Sequence, residues 1–222
     1  MSESTGTITE LKPSGRDPLL RLVKVGRRTV ATLTLDQIQN LGLSVGAVWD
    51  ETTAEAAERT RRTARARREA LRLLGRRAYS ASDLADRLGR RHDAEVAEEV
   101  IGQLRRRGLV DDAKLARNLI RQKRSRSPAG SRLLRQTLRQ KGIDREVAEE
   151  ALTEADQVYD AVAEARKLAL KKLQSTSYQK IPAAKRRQRL WGLLGRRGFD
   201  SQQIAAALEN LEGMDEDEAF SP

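Results

Sequence analysis

Guanidinium and ammonium groups gather at a few places along this 222-residue chain. Arg105, Arg106 and Arg107 are consecutive; Lys123, Arg124 and Arg126 follow, then Arg132, Arg135, Arg139 and Lys141. A guanidinium presents its donors in a planar fork that fits phosphate or carboxylate two bonds at a time. Steps of three and four residues put Arg132, Arg135 and Arg139 on one side of a helix. The chemistry these groups offer is capture of a polyanion, and the ten are the candidate partner-binding residues. With 43 Lys+Arg against 32 Asp+Glu the formal charge is +11, so the partner is a nucleic acid or a nucleoprotein surface.

Groups that make and break bonds are scarce. Cysteine is absent and His92 is the single histidine, which leaves no thiolate nucleophile, disulfide or His-cluster zinc site. There is no phosphate-binding Gly-rich loop of P-loop form and no nucleophile–base pair. No enzyme activity, metal or cofactor is expected. The start, Met1-Ser-Glu-Ser-Thr5, lacks a signal-peptide pattern, and no apolar run has the length of a membrane span. A cytoplasmic monomer is the expectation.

The distribution of charge carries more than its sum. Residues 121–141 hold eight basic side chains and no acidic one, whereas 144–156 hold six acidic residues and only Arg145. Residues 166–197 again hold eleven basic and no acidic residues. An ordinary solvated face mixes signs and gains i,i+4 pairs; these stretches forgo them.

The elements that hold these groups are mostly helices, as 3% aromatic content and cores of Leu, Ile, Val and Ala suggest. The start differs. Leu19–Val25 and Thr29–Leu33 read as a hairpin around Gly26-Arg27-Arg28, with Thr7–Leu11 as a third strand. A short helix over 34–41 stops at Gly42, and Leu43–Trp49 is extended. From Thr53 the pattern is helical. A long arginine-rich helix runs to Arg77, with apolar Ala66, Ala70, Leu71, Leu73 and Leu74 toward its end, so its early half is expected in solvent and its later half in a core.

An internal repeat organises the remainder. Asp93-Ala-Glu-Val-Ala-Glu-Glu-Val-Ile101 recurs as Asp144-Arg-Glu-Val-Ala-Glu-Glu-Ala-Leu152 and, more weakly, as Asp200-Ser-Gln-Gln-Ile-Ala-Ala-Ala-Leu208. Each aspartate suits a helix N-cap. Gly142 and Gly198, just before the later copies, suit left-handed helix ends. Ser80 and Asp83 form a capping-box-like pair, while Ser127-Pro128 and Ile181-Pro182 mark helix starts. The fold expected is mainly α: tandem three-helix repeats forming an elongated curved array, with a small N-terminal β-rich extension. The divisions are 1–50 (extension), 51–109 (basic helix and first repeat), 110–154 (second repeat), 155–210 (third repeat) and an acidic, disordered tail over 211–222. Gln174–Lys180 reads as a loop inserted in the third repeat.

Single residues have plain structural readings. Tyr79 staples the helix that follows it, Asp111 and Asp112 cap the helix beginning near Ala113, and His92 caps a helix C-terminus. Trp191 and Phe199 belong to the core of the third repeat. Trp49 seats the extension on the helices, and Ser127 N-caps ahead of Pro128.

Four blocks together resemble the RecX family, regulators of the RecA recombinase. They are Arg77-Ala-Tyr-Ser-Ala-Ser-Asp-Leu-Ala-Asp-Arg-Leu88, Leu104-Arg-Arg-Arg-Gly-Leu-Val-Asp-Asp112, Ser127-Pro-Ala-Gly130 with Leu134, and Leu138-Arg-Gln-Lys-Gly-Ile143. The strand pair followed by Leu43-Ser-Val-Gly46 is similar to the β-rich extension that many members carry. The resemblance implies a crescent of three-helix repeats that docks in the groove of the RecA–DNA filament and lowers RecA's ATPase, strand-exchange and co-protease activities. RecA's acidic surface and the DNA phosphates would both meet the basic side. Leu115 stands where the family commonly has an aromatic residue, and Arg91-His92-Asp93 replaces the Gly-apolar pair of the later repeats. The competing reading is a general DNA- or RNA-binding helical protein, although no unit shows a recognition helix with side chains placed for base edges.

Overall fold

The computed structural model describes residues 5–15, 17–209 and 211. The acidic tail expected over 211–222 lies outside the described residues apart from Leu211. Two compact units divide the chain: residues 1–77 with 84–109, and 78–83 with 110–222.

The first unit begins with strands β1 (Gly6–Pro13), β2 (Leu20–Val25) and β3 (Arg28–Thr34), followed by α1 (Leu35–Asn40) and the short β4 (Val48–Trp49). The antiparallel sheet has the order β3-β2-β1-β4. Arg28 pairs with Val25, so the hairpin turn is only Gly26-Arg27. Gly26, at φ +60°, supplies the left-handed backbone that a two-residue turn requires. Of Leu43–Trp49 only the last two residues form a strand. Thr34 accepts the Gln37 N–H at 3.2 Å and Gln37 accepts the Thr34 N–H at 2.9 Å, a reciprocal cap that starts α1. Ile8, Val23, Ala31, Leu33, Ile38 and Leu43 form the core beneath the sheet.

Helix α2 (Glu51–Leu74) starts at Asp50. One Asp50 oxygen accepts from the Thr53 hydroxyl, the Thr53 N–H and the Thr52 hydroxyl, at 2.7–2.8 Å, and these bonds hold its pKa down to about 2. The early half of α2 is not wholly in solvent as expected. Ala57 is buried in the same cluster as Trp49, because alanines at 54 and 57 let the helix approach the sheet. Trp49 does join the extension to the helices. Ala66 and Ala70 are fully buried, whereas Leu71 is 45% exposed.

Helix α4 (Ala94–Arg106) packs on α2 and buries Val96, Ala97, Val100, Ile101 and Leu104. The ring of His92 does not cap a helix. Its Nε2 lies 3.0 Å from Glu69 Oε2 on α2, and Arg91 reaches the other Glu69 oxygen at 3.4 Å. Asp93 precedes α4 without a side-chain cap bond, since its carboxylate meets Arg62 at 2.7 Å.

The second unit contains α5 (Asp112–Arg126), α6 (Ser131–Gln140), α7 (Arg145–Asp156), α8 (Ala161–Leu173), α9 (Thr176–Gln179), α10 (Ala183–Arg196) and α11 (Ser201–Leu208). Helices α5, α6 and α7 enclose Ala116, Ile120, Leu134, Leu138, Ile143 and Leu152. Helices α8, α10 and α11 enclose Leu168, Leu190, Leu194, Phe199, Ile204 and Leu208. Asp144 and Asp200 cap as expected, Asp200 with Gln203 in a full capping box. The stretch read as a loop contains the single turn α9. Ser127 ends α5 in an extended conformation, and α6 starts at Ser131 behind Gly130; Pro128 has no N–H to continue α5 and falls in the link.

Within the second unit, helix ends meet helix ends. Residues before Ala81, the first residue of α3 (Ala81–Gly89), touch the C-terminal turn of α6: the Ser80 hydroxyl donates to the Lys141 carbonyl at 2.5 Å. It also accepts the Asp83 N–H at 3.1 Å, as the Ser80–Asp83 pair suggested. Asp111 caps α5, but Asp112 turns away and accepts the Ala81 N–H at 2.9 Å. At the next joint, the N–H groups of Gly130 and Arg132 bond the carbonyls of Arg197 and Gly198 at 2.9 and 3.1 Å. Orphan donors of one helix thus satisfy orphan acceptors of another. Gly142 and Gly198 have φ of +68° and +84° and lie against the arriving turn, with Ser82 and Leu133 respectively as neighbours. The first repeat carries Arg91-His92 at the corresponding place, where α2 supplies Glu69 instead.

Candidate nucleoprotein interface

The ten candidate cations divide by what surrounds them. Arg105, Arg106 and Arg107 are exposed at the end of α4, where positive charge complements the helix dipole. Arg126, Arg132 and Arg139 are exposed, and among the described residues none makes an ion pair; Lys123 and Lys141 are half-buried.

Arg124 is an internal strut. Its side chain is 10% exposed and pairs with Asp156 at the end of α7. It donates to the Ala155 carbonyl at 3.0 Å, and its guanidinium carbon lies 3.6 Å from the centre of the Tyr159 ring. Tyr159 in turn accepts the Ala129 N–H at 3.2 Å, and burial raises its pKa. A partner could reach Arg124 only by dismantling this cluster. Arg124→Ala should lower unfolding stability by about 2–4 kcal/mol. Arg126→Ala, two residues away in solvent, should change it by less than about 0.5 kcal/mol; denaturant titration of both checks the contrast.

Arg135 is also engaged. Its Nε and terminal nitrogen donate to both oxygens of Glu149 at 2.5 and 2.9 Å. This fork raises the Arg135 pKa and holds the Glu149 carboxyl below its ordinary range. A carboxyl depressed in the fold adds stability above its unfolded pKa and loses it as pH falls through the folded value. The melting-temperature gap between the wild type and Glu149→Gln should therefore be open at about pH 7 and close toward about pH 3, as a pH series of melts would show. The acidic helix α7 thus neutralises part of its own repeat: Arg117 with Glu154, Arg124 with Asp156 and Arg135 with Glu149.

Clefts flank α6 on two sides. Arg135 and Arg139 line one with Arg145, Ile143 and Glu149; Arg132 and Gln136 line another with α10. Trp191 was expected in the core and is instead 40% exposed on α10, while Phe199 is buried as expected. Trp191 points outward from α10 because Leu190 and Leu194, four residues apart, take the inward stripe. Exposed Arg189 and Arg196 extend the basic surface of α10. Sequence reasoning left them out individually, although both fall in the acid-free stretch 166–197.

Among the described residues no acidic or histidine cluster could hold a metal ion, and no helix is long and apolar enough to cross a membrane. Short helices in successive three-helix groups, behind a small sheet, define a helical-repeat protein. Residues 66–104, 111–152 and 159–208 match the family models for the first, second and third three-helix domains of RecX. The chain belongs to the RecX family. It is 38% identical over 150 residues to a regulatory protein RecX of Prosthecochloris aestuarii, covering 67% of this chain and 95% of that one. It is 37% identical to one of Corynebacterium efficiens, covering 72% and 78%. The fold is similar to a crystal structure of regulatory protein RecX, with a TM-score of 0.76 at 24% identity over 90% of this chain and 97% of that one. A crystal structure of RecX from Lactobacillus salivarius gives 0.62 at 22% identity, covering 69% and 98%.

Proposed function

We propose that this protein, catalysing nothing itself, binds the RecA–DNA filament and lowers its ATPase, strand-exchange and co-protease activities. Family membership supports a regulatory role. The observation that carries the binding reading is the division of charge in the second repeat: α7 carboxylates take up Arg117, Arg124 and Arg135, while the exposed Arg126, Arg132 and Arg139 make no ion pair among the described residues. Exposed cations with no carboxylate partner nearby are left available to a polyanion. The partner-binding set is then Arg105, Arg106, Arg107, Lys123, Arg126, Arg132, Arg139 and Lys141, acting on RecA's acidic surface, the DNA phosphates or both. Arg124 and Arg135 hold the shape that presents them. A cytoplasmic monomer suits this role. To alter the filament, the protein must bind its competing states with unequal affinity.

Preassembled RecA filaments on single-stranded DNA, followed by ATP hydrolysis, test this. Inhibition at a small fraction of the RecA concentration is the expected result. Inhibition only when the protein saturates the DNA would favour simple lattice competition.

A further inference from the structure

The cleft between α6 and α10 contains a set of groups that the charge pattern does not explain. Arg132, Leu133 and Gln136 line one wall, with Trp191, Gly192, Gly195 and Arg196 opposite, around a volume of about 630 Å³. The groove is shallow and open to solvent, so it offers a surface to stack on and not an enclosure. Trp191 is 40% exposed, against 3% for Trp49, the other tryptophan. Neither Arg132 nor Arg196 makes an ion pair among the described residues.

The two glycines are the telling feature. Glycine inside a helix costs stability relative to alanine. At Gly198 the reason for glycine is visible: the φ is positive and an added Cβ would lie 2.2 Å from the Leu133 nitrogen. At Gly195 a Cβ would meet nothing within 4 Å, and at Gly192 only the movable tip of Arg196 at 3.4 Å. Neither has positive φ. Internal packing therefore asks for neither glycine, yet together they clear the helix surface beside an exposed indole.

We infer that this cleft is a single-strand nucleic-acid subsite in which an unpaired base stacks on Trp191 over the glycine-cleared surface, with Arg132 and Arg196 on the flanking phosphates. A flat indole beside cations is the combination that binds single strands with little sequence preference. The Gln136 amide offers a donor and an acceptor to a base edge. An acidic peptide would use the arginines but has no need of a stripped surface beside the ring. A base within a duplex is stacked on both faces and cannot enter.

The test uses the full chain and a labelled oligothymidylate, without RecA, so it stands apart from the filament reading. The strand should quench tryptophan fluorescence, and Trp191→Phe should abolish the quench because the remaining Trp49 is buried. Trp191→Ala should weaken binding about tenfold, and an abasic strand of equal length should bind the wild type no better than the normal strand binds that variant. Gly195→Leu fills the cleft while improving helix propensity, so binding should fall with no loss of melting temperature. Unchanged binding in Gly195→Leu, or an equal quench by polyglutamate, would overturn the inference.

Discussion

Gly198→Ala should destabilise the second unit by about 3–4 kcal/mol, among the largest effects of any single-methyl addition in this chain. The new Cβ would lie 2.2 Å from the Leu133 nitrogen and 2.5 Å from the Leu133 Cβ, and the residue would be held at φ +84°. Two costs combine there: left-handed backbone for a residue with a Cβ, and steric overlap with a turn whose N–H groups bond the same segment. Gly108→Ala separates them. It also has positive φ, +67°, but open space around its Cβ, so it should cost only about 1–2 kcal/mol. Urea unfolding of both variants provides the comparison. Equal losses would mean that the joint yields easily and that the repeats are not tightly registered.

The second large effect concerns the proposed partner. Simultaneous replacement of Arg126, Arg132 and Arg139 by Glu should weaken inhibition of the RecA ATPase on the order of 100-fold, at roughly 1 kcal/mol per charge. Melting temperature and helicity should stay close to wild type, because none of the three makes an ion pair among the described residues. Arg135 is deliberately kept: its reversal would set a carboxylate against Glu149 and confuse folding with binding.

Local patterns made much of the fold legible in the sequence. The repeated Asp-led segments gave α4, α7 and α11, since apolar spacing and capping chemistry act within one turn. The four-stranded sheet grew from β-rich runs around Gly26. What escaped depends on residues distant in sequence. Ser127-Pro128 reads as a helix start, but the start lies at Gly130, where the carbonyls of Arg197 and Gly198 complete the cap. Asp112 looks like a second cap for α5 and serves residue 81 instead. The absence of a Gly-apolar pair in the first repeat looks like simple variation. The structure gives it a reason: Gly142 and Gly198 receive the end of a neighbouring repeat, whereas His92 meets Glu69.

The candidate site was less legible for a related reason. Sequence shows how many cations a helix carries, not which ones an adjacent helix neutralises. Arg124 and Arg126 are indistinguishable as letters, yet one lies against Tyr159 and the other in water. Trp191 and Phe199, flanking the last helix turn of the third repeat, both read as core; Leu190 and Leu194 already fill the inward stripe of α10, and only Phe199 is buried.

In the proposed function, the exposed Arg132 and Arg139 of α6 meet the filament. Because the chain has no cysteine, a photo-crosslinker can be placed through Arg139→Cys, with exposed Glu150→Cys on α7 as the control. Irradiation with RecA filaments on single-stranded DNA should join position 139 to RecA or to the DNA and leave position 150 unjoined. Crosslinking from position 150 alone, with inhibition intact in both variants, would contradict the account.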